Sequence, residues 1–90
     1  MKYHSVPTSK FAKDYERLKK RGKEIKKLAS VIDALLAGEK LATKYRDHAL
    51  TGDCTGCREC HIEPDWLLMY EIQGEDMIWL RTGTHADLFG

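Results

Sequence analysis

The sequence predicts an α+β fold in which two N-terminal helices pack on one face of a small antiparallel β-sheet. Two stretches within the first 38 residues repeat their apolar residues with the period of a helix, and a glycine follows each stretch. From residue 57 onward the pattern changes to short extended runs separated by turn residues. Ninety residues without internal repeats predict a single domain, 1–90, with a modest core.

The first helix is predicted to begin at a hydroxyl N-cap, Thr8 or Ser9, and to run to about Lys20. Its apolar face recurs at i, i+4 and i+7, in Phe11, Tyr15 and Leu18. A loose alternation over residues 1–6 indicates a short strand before this helix. Gly22 then breaks the helical pattern.

The second helix is predicted from Lys23 to Ala37, with Gly38 placed as its C-terminal cap. Its broad apolar stripe consists of Ile25, Leu28, Val31, Ile32, Leu35 and Leu36. The short connection between the helices predicts an αα-hairpin. Neither stripe is satisfied by a partner helix alone, so both are expected to cover the sheet. Residues 39–52 show no clean period and are predicted to form a loop.

A hairpin with the turn Pro64-Asp65 is predicted between strands 58–62 and 66–72. Another turn, at residues 73–76, leads to a strand at 77–82, and the tail 83–90 has no predicted element. His61 and Glu63 are two apart on a strand, so they are expected to share a face. A histidine and a carboxylate beside a tryptophan can transfer protons, although an ordinary polar turn explains the same residues.

Charge is distributed unevenly along the chain. Residues 1–50 carry 13 Lys/Arg and 6 Asp/Glu, whereas residues 51–90 carry 2 and 8. A basic half suits a polyanionic partner, and a solvated helix face is the alternative explanation. No apolar run approaches the ~20 residues that span a bilayer, so no membrane association and a cytoplasmic location are expected.

Three cysteines, Cys54, Cys57 and Cys60, lie within seven residues and precede His61. Four such ligands could bind zinc, and the Cys57–His61 run also fits a c-type haem attachment pattern. A second Cys-X-X-Cys unit and an export signal are missing from the sequence, which argues against both. Cys57 and Cys60 would stand ~10 Å apart on an extended strand. We therefore predict that the cysteines bind no metal and form no disulfide.

A dispersed set of polar residues suits the cleavage of RNA. Histidine transfers protons near neutral pH, so His48, His61 and His85, together with Asp65, could supply the base and the acid. Arg81 would stabilise the phosphorane charge, and Trp66 or Phe89 would hold a base. This chemistry needs no metal and no cofactor. Scattered surface histidines are the alternative, because the sequence does not show that these residues converge.

Three motifs carry a family resemblance: Asp47-His48-Ala49-Leu50, His61-Ile62-Glu63-Pro64-Asp65-Trp66 and Arg81 to Gly90. They resemble the YafQ branch of the RelE/ParE toxin superfamily over nearly the whole chain. The resemblance implies a RelE-like fold, a toxin of a type II toxin–antitoxin system, and ribosome-dependent cleavage of mRNA. It also implies a cognate antitoxin as partner.

The resemblance places His48, His61, Asp65 and His85 in the catalytic set. It implies that Asp65 is the general acid and His85 the general base, with His48 and His61 supporting or sharing these roles. Three further residues are implied to affect cleavage or bind substrate: Trp66, Arg81 and Phe89. Contact of the basic helices with ribosomal RNA is expected at Lys10, Lys13, Arg17 and Lys20. Cys54 and Cys57 depart from the family, in which aromatic residues are frequent at these positions.

Two alternative functions remain open from the sequence. The same fold could serve a non-enzymatic, ParE-like toxin that inhibits a protein target, but such an inhibitor has no need of the histidine set. The cysteines could instead form a small metal-binding interaction module. The histidine motifs favour the endoribonuclease.

Overall fold

The computed structural model describes residues 1–52 and 56–90, and it has the predicted α+β architecture. In chain order the elements are β1 (His4–Pro7), α1 (Ser9–Lys20), α2 (Ile25–Leu36), a 3₁₀ segment (Thr43–Tyr45), β2 (His48–Ala49), β3 (Cys57–Glu63), β4 (Trp66–Gln73), β5 (Asp76–Gly83) and α3 (His85–Phe89). Within the described ranges, none of the helices is long and apolar enough to cross a lipid bilayer.

The five strands form one sheet in the order β1-β5-β4-β3-β2. The β3–β4 and β4–β5 pairs are antiparallel, as predicted, and β2, which was not predicted, also pairs with β3 in the antiparallel direction. By contrast, β1 pairs with β5 in parallel. The sheet is therefore mixed. The sequence indicated an extended segment at the N-terminus, and alternation alone carries no information about strand direction. The β3–β4 hairpin turns at Pro64-Asp65, as predicted, since Glu63 pairs with Trp66.

Both helices lie against the sheet through the apolar faces that the sequence predicted. The core cluster contains Phe11 and Leu18 of α1, four residues of α2, and the sheet residues Cys60, Ile62, Trp66, Leu68, Tyr70, Met77 and Trp79. Thr8 caps α1 by accepting a hydrogen bond from the backbone N–H of Phe11, and its hydroxyl donates to the Trp79 carbonyl at 2.8 Å. The N-terminal cap thus fixes α1 to β5.

A buried polar network fixes α1 to the ends of β4 and β5. The side chain of Asp14 is buried, and it accepts hydrogen bonds from Arg81 Nε at 2.6 Å, from Arg17, and from the backbone N–H of Thr82 at 3.2 Å. The Thr82 hydroxyl accepts from Trp66 Nε1 at 3.0 Å and donates to the Leu67 carbonyl at 2.8 Å. Every polar group in this network is therefore paired, as buried polar groups must be.

A second network holds the segment that precedes β2. The Tyr70 hydroxyl donates to Asp47 Oδ1 at 2.6 Å, and the Arg58 guanidinium lies 3.3 Å from Asp47 Oδ2. Asp47 is thereby attached to the sheet immediately before His48. Residues 39–52 were predicted to be a loop, but this segment contains the 3₁₀ turn and the two-residue strand β2.

The cysteine prediction is wrong at Cys57, which is disulfide-bonded. The expectation depended on the distance between Cys57 and Cys60 along an extended strand. That distance excludes only a disulfide between these two residues. Cys60 is free and fully buried, and burial raises the pKa of its thiol to about 12, which makes it a weak nucleophile. The prediction for Cys54 lies outside the described residues.

We predict that Asp14→Ala lowers the free energy of unfolding by about 3 kcal/mol, because it leaves Arg81 and the Thr82 amide without their buried acceptor. Urea unfolding measures the loss. The matched control is Asp33→Ala on the exposed side of α2, which should change stability by less than about 0.5 kcal/mol. Equal stability of the two variants would show that the Asp14 network does not stabilise the fold.

Candidate active site

Five of the sequence-predicted site residues lie near one end of the sheet: His48, His61, Asp65, His85 and Phe89. His61 lies near the end of β3, Asp65 is in the β3–β4 turn, and His85 begins α3 directly after β5. The rings of His61 and His85 are 6.2 Å apart, and those of His85 and Phe89 are 6.3 Å apart. His48 on β2 brings a ring nitrogen within 4.8 Å of His61. The three histidines are therefore not scattered over the surface.

His85 and Asp65 form a hydrogen-bonded pair. His85 Nδ1 lies 2.6 Å from Asp65 Oδ1, and the backbone N–H of His85 donates to the same oxygen at 3.0 Å. These hydrogen bonds, the backbone one first, lower the pKa of Asp65. The ionised carboxylate only accepts, so Nδ1 carries a proton and Nε2 remains available to the substrate. This geometry favours a carboxylate that positions the His85 ring, and the expected role of Asp65 as general acid stays a prediction.

The position of His85 depends on the short helix α3. Thr84 and Asp87 form a capping box: each side chain accepts from the backbone N–H of the other residue. Asp87 also binds Arg21, just after α1, through two hydrogen bonds of 2.8 Å, and this contact holds the pKa of the Asp87 carboxyl well below its usual range. Gly83 precedes the box with φ 155°, and a Cβ there would lie 2.9 Å from Asp87 Oδ2. A glycine is required for this close approach.

Glu59 is a site residue that the sequence analysis missed. It stands opposite His48 in the β2–β3 register, and its Oε2 lies 3.3 Å from His48 Nε2. Glu59 and His61 are two apart on β3 and therefore share a face. Glu59 and Glu63 both stand two residues from His61 in the sequence, and spacing alone does not distinguish them.

Glu63 does not form the proton-transfer pair with His61 that the sequence suggested. It binds Lys23 Nζ at 3.2 Å and Lys27 Nζ at 2.9 Å, and the pairing register of β3 shifts between His61 and Glu63. The two lysines lower the pKa of the Glu63 carboxyl. His61 Nδ1 lies 3.4 Å from the carbonyl of Pro64. Glu63 thus ties the hairpin to α2.

Among the described residues, His48, Glu59 and His61 are the group able to hold a metal ion. Each offers one ligand atom, and all three atoms lie within 4.8 Å of one another. Two imidazoles and a carboxylate suit zinc or copper. An ion bound there would occupy the ring nitrogens that proton transfer requires.

The three expected substrate residues differ in their exposure. The Phe89 ring is 64% exposed beside His85, so an RNA base can stack on it. Trp66 is fully buried and donates to Thr82, so its ring lies in the core of this structure and its assignment to substrate binding stays a prediction. For a tryptophan next to a turn, the sequence does not indicate whether the ring is buried in the core or exposed to solvent. Arg81 is bound by Asp14, so its charge is already compensated.

Comparisons with known proteins agree with the fold. Residues 3–90 match the family described as "Bacterial toxin of type II toxin-antitoxin system, YafQ". The mRNA interferase toxin YafQ of Escherichia coli K12 is 38% identical over 84 residues, which cover 92% of this chain and 91% of the relative. Two solved structures cover nearly all of both chains. They are the E. coli DinJ-YafQ complex (TM-score 0.92, 36% identity, 98% of this chain and 99% of that one) and a metal-bound toxin from Helicobacter pylori (0.90, 38%, 97% and 99%).

We predict that Arg21→Gln loosens α3 and lowers any activity that depends on His85 by roughly threefold to tenfold. The global stability should change little, because the pair is partly exposed. Hydrogen exchange of the Asp87 and Leu88 amides measures the local effect. Lys19→Gln, an exposed charge change two residues away, is the control. Unchanged exchange in Arg21→Gln would mean that Arg21 does not hold α3.

Proposed function

The chain belongs to the YafQ family of type II toxin–antitoxin toxins, and from this premise we propose that it cuts messenger RNA on the ribosome by metal-free acid–base catalysis. It is an mRNA interferase, an endoribonuclease. The observation that carries the mechanism is the convergence of His48, His61 and the His85–Asp65 pair on one accessible surface. A toxin that only blocks a protein target would not require these proton-transfer groups.

The reaction begins with attack of the ribose 2′-oxygen on the adjacent phosphorus. His85 Nε2 accepts the 2′-hydroxyl proton, and Asp65 holds the ring through Nδ1 and stabilises the charge that the ring gains. As the P–O5′ bond breaks, the leaving 5′-oxygen takes a proton from the imidazolium of His48. Glu59 Oε2, 3.3 Å from His48 Nε2, would hold that ring in position. The products are a 2′,3′-cyclic phosphate and a 5′-hydroxyl.

His61 lies between these two histidine–carboxylate pairs. As a hydrogen-bond donor it would stabilise the charge of the phosphorane, a role expected of Arg81 in the sequence analysis. Phe89 beside His85 would hold a base by stacking. In this assignment the carboxylates position the histidines and the histidines transfer the protons.

The exposed side of α1 would bind ribosomal RNA. It presents the cations named from the sequence, Lys10, Lys13, Arg17 and Lys20, all exposed. Arg17 also pairs with Asp14, so the three lysines carry most of the uncompensated charge. Cations on one helix face suit the phosphate backbone without reading its sequence.

A cognate antitoxin is the expected protein partner. The E. coli relative has been solved in complex with DinJ, and it shares the fold of this chain over nearly its full length. We propose that an antitoxin of this kind restrains the present toxin.

Three substitutions test the catalytic assignment by primer extension on a messenger that is being translated. His85→Ala and Asp65→Ala should each lower cleavage by about 10²-fold, since the base is lost or misplaced. Asp65→Asn keeps an oxygen that accepts from His85, so it should retain roughly tenfold more activity than Asp65→Ala. His4→Ala, at an exposed histidine on β1, should cleave like wild type.

Two outcomes would contradict this assignment. If Asp65→Asn is as inactive as Asp65→Ala, the hydrogen bond to His85 is not enough, and Asp65 would be assigned as the general acid. Wild-type cleavage by His85→Ala would refute the acid–base mechanism altogether.

We predict that removing metals leaves cleavage intact and that adding copper inhibits it. Toxin that is stripped of metal with EDTA and then freed of the chelator, before it is added to ribosomes in Mg²⁺ buffer, should cleave within about twofold of the untreated rate, because protons pass directly between histidines and substrate. Cupric ions should slow cleavage by binding His48, Glu59 and His61. The measurement is the initial rate with protein prepared under chelation. Activity that disappears with EDTA and returns with one equivalent of metal would make the ion a participant.

A further inference from the structure

A groove of about 630 Å³ opens beside the active site, and none of the catalytic steps above uses it. It lies between α2, the 3₁₀ segment and the β3–β4 turn. Its walls include Lys27, Lys44, Tyr45, Arg46, His61 and Glu63. The volume is typical of a ligand site. Because His61 belongs to both, the groove, here called the Tyr45 groove, is continuous with the active site.

The charge of the Tyr45 groove is positive. Lys27, Lys44 and Arg46 line it, and Glu63 is the acid among the lining residues. Glu63 already binds Lys27 and also Lys23, which lies nearby. Lys44 and Arg46 are therefore left with uncompensated charge toward the groove. Such a surface favours an anion that passes close to His61.

Arg46 differs from the other arginines of this chain. The remaining four are each bound to a carboxylate: Arg17 and Arg81 to Asp14, Arg21 to Asp87, and Arg58 to Asp47. Within residues 1–52 and 56–90, the guanidinium of Arg46 has no hydrogen bond and no ion pair. A guanidinium without a protein partner is suited to a phosphate, which it can bind through two parallel hydrogen bonds.

The backbone of Arg46 is held in an unusual conformation. Arg46 has φ 49° and ψ 44°, and in the described part of the chain it is the sole residue other than glycine with a positive φ. This left-handed conformation disfavours side chains with a Cβ, and glycine or asparagine would adopt it more easily. The next residue, Asp47, is fixed by Tyr70 and Arg58. Strain maintained by such an anchor, at a site beside a cavity, indicates that the arginine side chain is needed there.

Tyr45 offers a ring at the same place. It is half-buried and packs against the core cluster, so its position is fixed before any ligand binds. The Lys44 ammonium lies 5.2 Å from the ring centroid. An aromatic ring with cations around it is the arrangement with which proteins hold single-stranded nucleic acid, through stacking and phosphate contacts.

We propose that the Tyr45 groove binds the messenger RNA strand next to the scissile phosphate. A base stacks on Tyr45, and the neighbouring phosphate binds Arg46, with Lys44 beside it. This inference rests on the proposed function, because the strand that fills the groove continues into the site of His61 and His85. The groove thus fixes the register of the strand relative to the catalytic histidines.

The test separates binding from chemistry on ribosomes programmed with a defined messenger. Arg46→Asn removes the cation while asparagine accepts the left-handed backbone, so the fold should be as stable as wild type. We expect KM to rise about tenfold while kcat stays within about twofold. The slope of log KM against log salt concentration should fall by about one, because one phosphate contact is lost. Arg46→Lys should restore part of the loss. Tyr45→Leu should raise KM roughly tenfold, and Tyr45→Phe should not.

Lys26→Gln is the matched control, because it removes one exposed cation of α2 that does not line the groove. If wild type cleaves while Arg46→Asn and Tyr45→Leu behave like Lys26→Gln, the groove proposal is wrong and the proposed function stands. If wild type cleaves no messenger, the proposed function fails and the groove proposal falls with it. Intact cleavage with weakened antitoxin binding would make the groove a protein interface and overturn the RNA assignment.

Discussion

The carboxylate of Asp14 is the buried charge on which the geometry of the active site depends. It joins α1 to β5 through Arg81 and the Thr82 amide, and Thr82 in turn holds Trp66 and Leu67 at the start of β4. The turn that carries Asp65 ends at Trp66, and His85 follows Thr82 by three residues. One chain of buried hydrogen bonds therefore fixes the β3–β4 turn, which carries Asp65, relative to the end of β5, which precedes His85. Such networks specify a unique arrangement when all their members are satisfied.

The site obtains its chemistry by pairing two histidines with carboxylates from other segments. Asp65 comes from a turn and His85 from a helix, whereas His48 and Glu59 face each other across two strands. Four short segments of the chain must be in place before the set exists. This explains why α3 is capped, why Arg21 reaches it from the end of α1, and why Asp47 is attached to Tyr70 directly before His48.

Much of the fold could be predicted from sequence because periodicity and caps are local. The helix α1 began at the predicted hydroxyl cap, and the Pro64-Asp65 hairpin formed as expected. The parallel pairing of β1 was not predictable, since it depends on the path of the chain through two helices. The helix α3 is too short to show a helical repeat of apolar residues. Its capping residues, Thr84 and Asp87, are nevertheless present in the sequence at the right spacing.

The candidate site was predictable in its histidines and less so in their partners. Family motifs named His48, His61, Asp65 and His85, but the pairing of Glu59 with His48 depends on strand register. The expectation that Asp65 is the general acid came without its partner, because the two hydrogen bonds that His85 makes to this carboxylate join residues 20 positions apart. The ion pair between Glu63 and Lys27 of α2 likewise depends on tertiary packing, so the sequence did not predict it.

The burial of the aromatic core gives this protein an internal optical reporter. Its two tryptophans, Trp66 and Trp79, are almost fully enclosed, and each indole N–H donates to a hydroxyl, of Thr82 and Ser5 respectively. Indole fluorescence will therefore be shielded from quenchers in the folded state and will shift to longer wavelength on unfolding. Because both rings are buried, this emission reports the folding of the toxin and needs no label on its surface.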